Sequence, residues 1–170
     1  MILTGDEIAR EVAQGRIRIS DFNPARLSTN SYDLSLGSSL LKYDENVLDP
    51  YTENKYTTLQ IAPDGYLMQK NEFLLAESAE FVGSDHYVPI IHAKSGTARL
   101  GLFIHVTADL IDIGSHGRIT FQLFSTLPLI LRSGWRVAQV SFWVPRGAIS
   151  LYKGKYQGSD GPVASRAYLG

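Results

Sequence analysis

The stretch Gly114-Ser115-His116-Gly117-Arg118-Ile119-Thr120-Phe121-Gln122-Leu123-Phe124 puts an alternating, strand-like run directly behind a glycine-punctuated turn. Strict alternation gives a strand one buried face and one open face. Short apolar or alternating runs recur at residues 66–69, 72–76, 88–92, 102–106, 119–124 and 137–144. Turn signals separate them at Pro63-Asp64-Gly65, Val82-Gly83-Ser84-Asp85, Gly114 to Gly117 and Arg132-Ser133-Gly134. Many short strands at this spacing predict an all-β sandwich or jelly-roll-like barrel rather than a parallel α/β sheet.

One short helix precedes them. Thr4-Gly5-Asp6-Glu7 has capping-box spacing, in which the Thr4 hydroxyl accepts the Glu7 amide and the Glu7 carboxylate reaches back. Leu3 and Ile8 fall at the two staple positions, Ile8 and Val12 share a face, and Gly15 supplies a stop. The fold class is therefore all-β with a minor N-terminal helix. Residues 44–55 are polar and predict a surface excursion. The glycines and Pro162 after Pro145 predict an irregular, flexible tail over residues 146–170.

A chain of 170 residues fits a single domain, here 1–170, with one sizeable core. Its net charge of -1 gives no broad drive toward nucleic acid or anionic membrane. The lack of cysteine removes disulfides, a thiolate nucleophile and thiolate-held zinc together. Met1-Ile2-Leu3 runs straight into the capped helix, and no apolar stretch approaches a membrane span, so a cytoplasmic location is expected.

Chemistry concentrates in Ala93-Lys94-Ser95-Gly96-Thr97-Ala98-Arg99-Leu100-Gly101-Leu102, where two cations flank a hydroxyl and a glycine. Small residues allow close approach of a polyanion and the cations balance its charge, which suits a nucleotide phosphate. The stretch is not a P-loop, since Lys94-Ser95 precedes the glycine. Read alone, it is equally an ordinary solvated turn.

Beyond this loop come His105-Val106-Thr107-Ala108, Ile111-Asp112-Ile113-Gly114, the strand around Gln122, and Leu129-Ile130-Leu131-Arg132-Ser133-Gly134-Trp135. Upstream lies Ser31-Tyr32-Asp33-Leu34-Ser35-Leu36-Gly37, and downstream Lys155-Tyr156-Gln157-Gly158 with Gly161-Pro162-Val163-Ala164-Ser165-Arg166. In this order and spacing the chain resembles the dCTP deaminase and dUTPase superfamily, nearest its deaminase branch. The resemblance implies a distorted, dUTPase-like β-barrel, a homotrimer with shared sites, and a tail that folds over bound nucleotide.

It also implies roles. Ser95 and Arg99 take the places of an active-site serine and an arginine near the reacting base, orienting water and stabilising developing charge. Lys94 stands for an arginine, and Gly96 for a second serine, as in the dUTPase branch. Ala108 is expected to offer its backbone carbonyl to the base. Asp112 is expected to accept the 3′-hydroxyl of deoxyribose, its plain alternative being a turn aspartate. Asp109 and Leu110 replace a His-Arg pair, and Asp109 joins the substrate-binding set. Tyr152, Lys155, Ser159 and Arg166 are the tail residues expected to close over the triphosphate.

Gln122 replaces the glutamate that serves as base in deaminases; an amide holds water but takes no proton near neutral pH. The leading expectation is hydrolytic deamination of dCTP to dUTP and ammonia. The alternatives are dUTP cleavage to dUMP and pyrophosphate, both activities together, or deoxynucleotide binding with weak turnover because of Gln122. Magnesium is expected only with the triphosphate. Zinc is not, because a zinc deaminase needs a P-C-x-x-C segment and His86, His92, His105 and His116 lack one. His105 reads as a core or interface histidine.

Overall fold

The computed structural model describes residues 1–105 and 107–170; Val106, the last position of the run expected at 102–106, lies outside them. Helix α1 (Gly5–Ala13) starts as its sequence dictates, with the Glu7 amide donating to Thr4 Oγ1 at 3.4 Å. The reciprocal half of the capping box does not form, because the Glu7 carboxylate pairs with Arg10 one turn on. A guanidinium three residues away outcompetes a neutral amide. Ile8 is fully buried, and Gly15 at φ 72° turns the chain out of the helix.

The helix is fastened by a buried carboxylate. Glu11, 2% exposed, receives both arms of Arg16 and the Tyr87 hydroxyl at 2.7 Å.

Ten strands follow among the described residues: β1 (Arg18–Ile19), β2 (Tyr32–Tyr43), β3 (Tyr56–Gln60), β4 (Tyr66–Met68), β5 (Phe73–Gly83), β6 (Val88–Ala93), β7 (Leu102–Ile104), β8 (His116–Ser125), β9 (Leu129–Leu131) and β10 (Arg136–Trp143). The main sheet runs β6-β10-β2-β5-β8-β7, with β1 on β5 and β3 on β2, while β4 and β9 pair separately. Every ladder is antiparallel. The sheet curls until its edge strands β6 and β7 approach each other, which makes the expected distorted barrel. No helix among the described residues is long and apolar enough to cross a membrane.

Alternation marks β8 cleanly: Ile119, Phe121 and Leu123 face the core, while His116, Arg118, Thr120 and Gln122 are half-buried on the other face. β2 carries no such signal, because residues 32–37 are all buried. The stretch expected as a loop at 93–102 instead contains a five-residue helix, α2 (Ser95–Arg99), with Lys94 at its N-cap.

The β10–β2 ladder slips between Arg136 and Ala138, and the ladders of β5 slip on both sides of that strand. Register shifts fall between Glu77 and Phe81 against β8, and between Leu36 and Leu40 of β2 against β5. Amides that lose a strand partner there turn to carboxylates: Ser35 N donates to Glu80 at 2.9 Å and Ser39 N to Glu77 at 3.1 Å. Gly37 makes room, since a Cβ there would lie 2.3 Å from the Glu77 side chain.

Arg16, helped by Tyr87, holds the Glu11 carboxyl below its usual range although burial opposes this. A depressed carboxyl contributes stability above its unfolded pKa near 4.5 and loses it as pH falls through the folded value. Glu11→Gln should therefore cost about 1.5–3 kcal/mol at pH 7 and flatten the acid limb of stability, measured by urea unfolding from pH 7 to 3.

Candidate functional site

The outer face of β8 forms the floor of a cavity of about 440 Å³. Gln122, Thr120, Arg118 and His116 rise from that floor, His105 and Ala108 stand at one side, and Tyr156, Ser159 and Val163 of the tail cover it. The tail is stitched down by backbone bonds. Arg118 N donates to Ser159 O at 2.8 Å, Gly158 N to His116 O at 2.8 Å, and Tyr152 N to Ile113 O at 2.8 Å. Gln157 bridges both ways, accepting from His116 N and donating to Gly114 O. Val163 N reaches Thr120 Oγ1 at 3.1 Å.

Two of the polar atoms in this wall are buried and find no partner among the described residues: His105 Nδ1 and Gln122 Oε1. The Gln122 amide donates to Thr120 O at 3.2 Å, so its carbonyl is the free end. His105 is 6% exposed, sits at φ 57°, and stands edge-on to Phe121 with ring centroids 6.3 Å apart. Burial pushes its pKa down to about 4 against small opposing effects of the Ala108 carbonyl and Asp109, so the ring is neutral at pH 7.

The expected site residues fall into two groups within one chain. Ala108, Gln122 and Ser159 line the cavity. Lys94, Ser95, Gly96 and Arg99 are not among the described residues that do; they lie at α2. The Lys94 ammonium pairs with Asp33, which is 5% exposed and also has Arg136 at 3.5 Å. Ser95 and Arg99 are exposed, and a Cβ on Gly96 would meet nothing within 4 Å, so a side chain fits there. Asp112 is exposed and its carbonyl closes a turn to Ser115 N; the Asp109 carbonyl accepts from Ile91 N.

In the tail, Tyr156 is the hub. Its hydroxyl accepts from Arg166 N at 2.9 Å, its carbonyl from Ser159 Oγ at 2.7 Å, and its amide donates to the Tyr152 hydroxyl at 3.2 Å. Lys155 and Arg166 stand 6.0 and 5.9 Å from its ring centre. Sequence reading passed over Tyr156, Asp33 and Thr120. Asp33 lay inside a quoted motif, but its partner Lys94 is 61 residues away and pairing at that range leaves no sequence signal. Among the described residues no group of three or more His, Asp or Glu side chains gathers as for a metal ion.

A family model described as dCTP deaminase-like matches residues 2–144. The chain belongs to the dCTP deaminase-like family. A protein from Clostridium beijerinckii named dCTP deaminase, dUMP-forming, is 37% identical over 169 residues, covering 99% of this chain and 97% of its own. A protein of the same name from Cytophaga hutchinsonii is 36% identical with the same coverage. The crystal structure of 2'-deoxycytidine 5'-triphosphate deaminase from Agrobacterium tumefaciens superposes with a TM-score of 0.66 at 19% identity, over 85% of this chain and 48% of that one. The chain thus spans about half the length of that solved protein, and the likeness concerns the fold. Within the dCTP deaminase-like family, this member carries an amide, Gln122, on the cavity floor.

Two measurements check the site's construction. A Cβ at Gly117 would lie 2.8 Å from Ser159 N and 2.9 Å from Ser159 O, both backbone atoms. Gly117→Ala should displace the tail and speed tryptic cleavage at Lys153 and Lys155 by about tenfold or more, as overpacking costs about 1–3 kcal/mol. The second concerns His105, whose depressed pKa contributes stability above about 6.5 that is lost as pH falls toward about 4. His105→Asn should make the melting temperature less steep in pH across that window.

Proposed function

We propose that this chain converts dCTP to dUMP, consuming two waters and releasing ammonia and pyrophosphate. The observation that carries this reading is near full-length identity of 37% with a relative named dCTP deaminase, dUMP-forming. The earlier expectation of dUTP as end product changes accordingly: dUTP becomes the intermediate that the same protein cleaves. In this reading the β8 cavity takes the pyrimidine and the α2 cations take the phosphates. Ser95 and Arg99 orient the reacting groups, the Ala108 carbonyl reads the base edge, and Asp112 accepts the sugar 3′-hydroxyl. Lys94, Gly96 and Asp109 complete the binding wall, while Tyr152, Lys155, Ser159 and Arg166 close the tail over the triphosphate.

The α2 residues stand apart from the cavity within one chain, which favours a homotrimer whose sites are completed between subunits. Magnesium arrives as part of the triphosphate substrate, and zinc has no part. The nucleotide pool it draws on puts the protein in the cytoplasm, with neither nucleic acid nor membrane as partner.

A second reading is cleavage of dUTP alone. Gln122 favours it, since an amide at the floor of the cavity takes no proton from water at neutral pH.

Incubation with dCTP and dUTP separately, assayed for ammonia and pyrophosphate, distinguishes the readings. Both products from dCTP are expected. Pyrophosphate from dUTP with no ammonia from dCTP would favour the second reading, and neither product would leave a binding protein. Light scattering should give a trimer; a mass of 18.8 kDa at micromolar concentration would sink the shared site.

A further inference from the structure

We propose that His105 supplies the base that Gln122 cannot, with His105 Nδ1 and Gln122 Oε1 holding the attacking water between them. The inference rests on the deamination reading and asks which group of this chain moves the protons.

The fold brings the two residues to one cavity. β7 and β8 pair Leu102 with Ser125, Phe103 with Phe124 and Ile104 with Leu123; His105 follows where that ladder ends, and Gln122 is the next residue of β8 past Leu123. Both side chains end in the same cavity, each with a buried polar atom that has no partner. An unpaired buried polar atom costs about 1–3 kcal/mol, so two in one wall call for a polar occupant.

With the ring proton on Nε2, the two free atoms are both acceptors. The Gln122 amide nitrogen is spent on Thr120 O, leaving its carbonyl oxygen. The neutral His105 ring has the Ala108 carbonyl beside it to accept its N–H, and Nδ1, unpartnered, presents a lone pair. Both atoms are closed to solvent in the free protein; a water admitted with the substrate and donating one hydrogen to each would turn its own lone pairs toward the cavity, where C4 of a pyrimidine would stand.

Other candidates around the cavity are committed elsewhere. His116 Nε2 is 2.7 Å from Asp85, and Arg118 is bound to Asp160 and to the carbonyls of Ser78 and Ala79. The hydroxyls of Tyr43 and Tyr156 accept from tail amides. Among these groups His105 is the one whose ring nitrogen is both buried and without a partner among the described residues.

The proton inventory closes without a further reactant. As the water oxygen bonds to C4, Nδ1 takes one proton and passes it to N3. As that oxygen becomes the carbonyl, Nδ1 takes the second proton and passes it to N4, the C4–N4 bond breaks, and ammonia leaves. The imidazole ends neutral, as it began. Negative charge gathering on the attacked ring raises its basicity during the step.

The backbone conformation selects the test. His105 lies at φ 57°, a region asparagine tolerates, so His105→Asn removes the base and keeps the turn. The expected result is a fall in kcat for ammonia release from dCTP of at least about a hundredfold, with KM changed less than about threefold. Adding Gln122→Glu to that variant should bring kcat back to within about tenfold of wild type, since a carboxylate then sits on the other side of the same water.

A variant as fast as wild type overturns the assignment, and so does a loss that Gln122→Glu fails to restore. If His105→Asn does not fold, Gln122→Met in the wild-type background tests the water cradle: a kcat lowered about tenfold is expected from the lost hydrogen bond, and an unchanged kcat overturns the proposal. A wild type that yields no ammonia from dCTP overturns the deamination reading and this assignment together. A wild type that deaminates while His105→Asn does so equally well overturns this assignment alone.

Discussion

The slip in the ladders of β2, β5 and β8 is the constraint on which the rest of the structure leans. Extra residues in β5 between Glu77 and Phe81 leave backbone groups without strand partners in the middle of the sheet. Polar side chains of the same segment replace them: Ser78 Oγ accepts from Ile119 N at 2.8 Å and donates to Glu80 O, while Glu80 and Glu77 take the amides of β2. Arg118 then spans the slip, donating to the carbonyls of Ser78 and Ala79 and, at 2.9 Å, to Asp160 of the tail. One guanidinium therefore connects an irregularity in the core to the segment covering the cavity. Its stem lies under Phe81, with the guanidinium 4.8 Å from the ring centre.

That connection explains why β8 serves as the floor. Its inner residues are locked in the core, so its outer residues are held by a rigid strand rather than by a loop. The tail lies over them by backbone bonds, reinforced by the Gln157 side chain and by the Asp160 pair with Arg118. Gly114 and Gly117 permit this, since a Cβ at either would strike tail backbone within 3 Å. The two unpartnered acceptors are then enclosed on a preorganised surface, where a buried water or base meets fixed dipoles.

The α2 group obeys different physics. Lys94 is tied to buried Asp33, an ionic contact between the segment after β6 and the start of β2 that fixes where the helix begins. Ser95 and Arg99 remain exposed around it. A cation already partly neutralised by a buried carboxylate attracts an anion less than an unpaired one does.

Much of the fold was legible. The capping residue Thr4, the core alternation of Ile119, Phe121 and Leu123, and the turns at Gly65, Gly114 and Gly134 follow from local geometry that neighbouring residues decide among themselves. Strand β2 was not legible as a strand, because burial on both faces erases alternation. The helix α2 was hidden for the opposite reason: five residues give too short a period to read. The ordered motifs carried the family and singled out Ala108, Gln122 and Ser159, which the fold gathers around one cavity. His105 read as a packed histidine, and it is one, but no local pattern could tell that its Nδ1 would lack a partner.

By itself, then, the sequence determined the class of fold, the start of α1, the strand faces and the family, since each depends on residues close together or on motifs kept in order. Tertiary structure alone decided that Lys94 meets Asp33, that Arg118 bridges the slipped ladders to the tail, and that His105 and Gln122 line one cavity. Each of these joins groups distant in the chain, and their meeting is set by sheet register and by the need to pair every buried polar group, conditions that exist only once the barrel has closed.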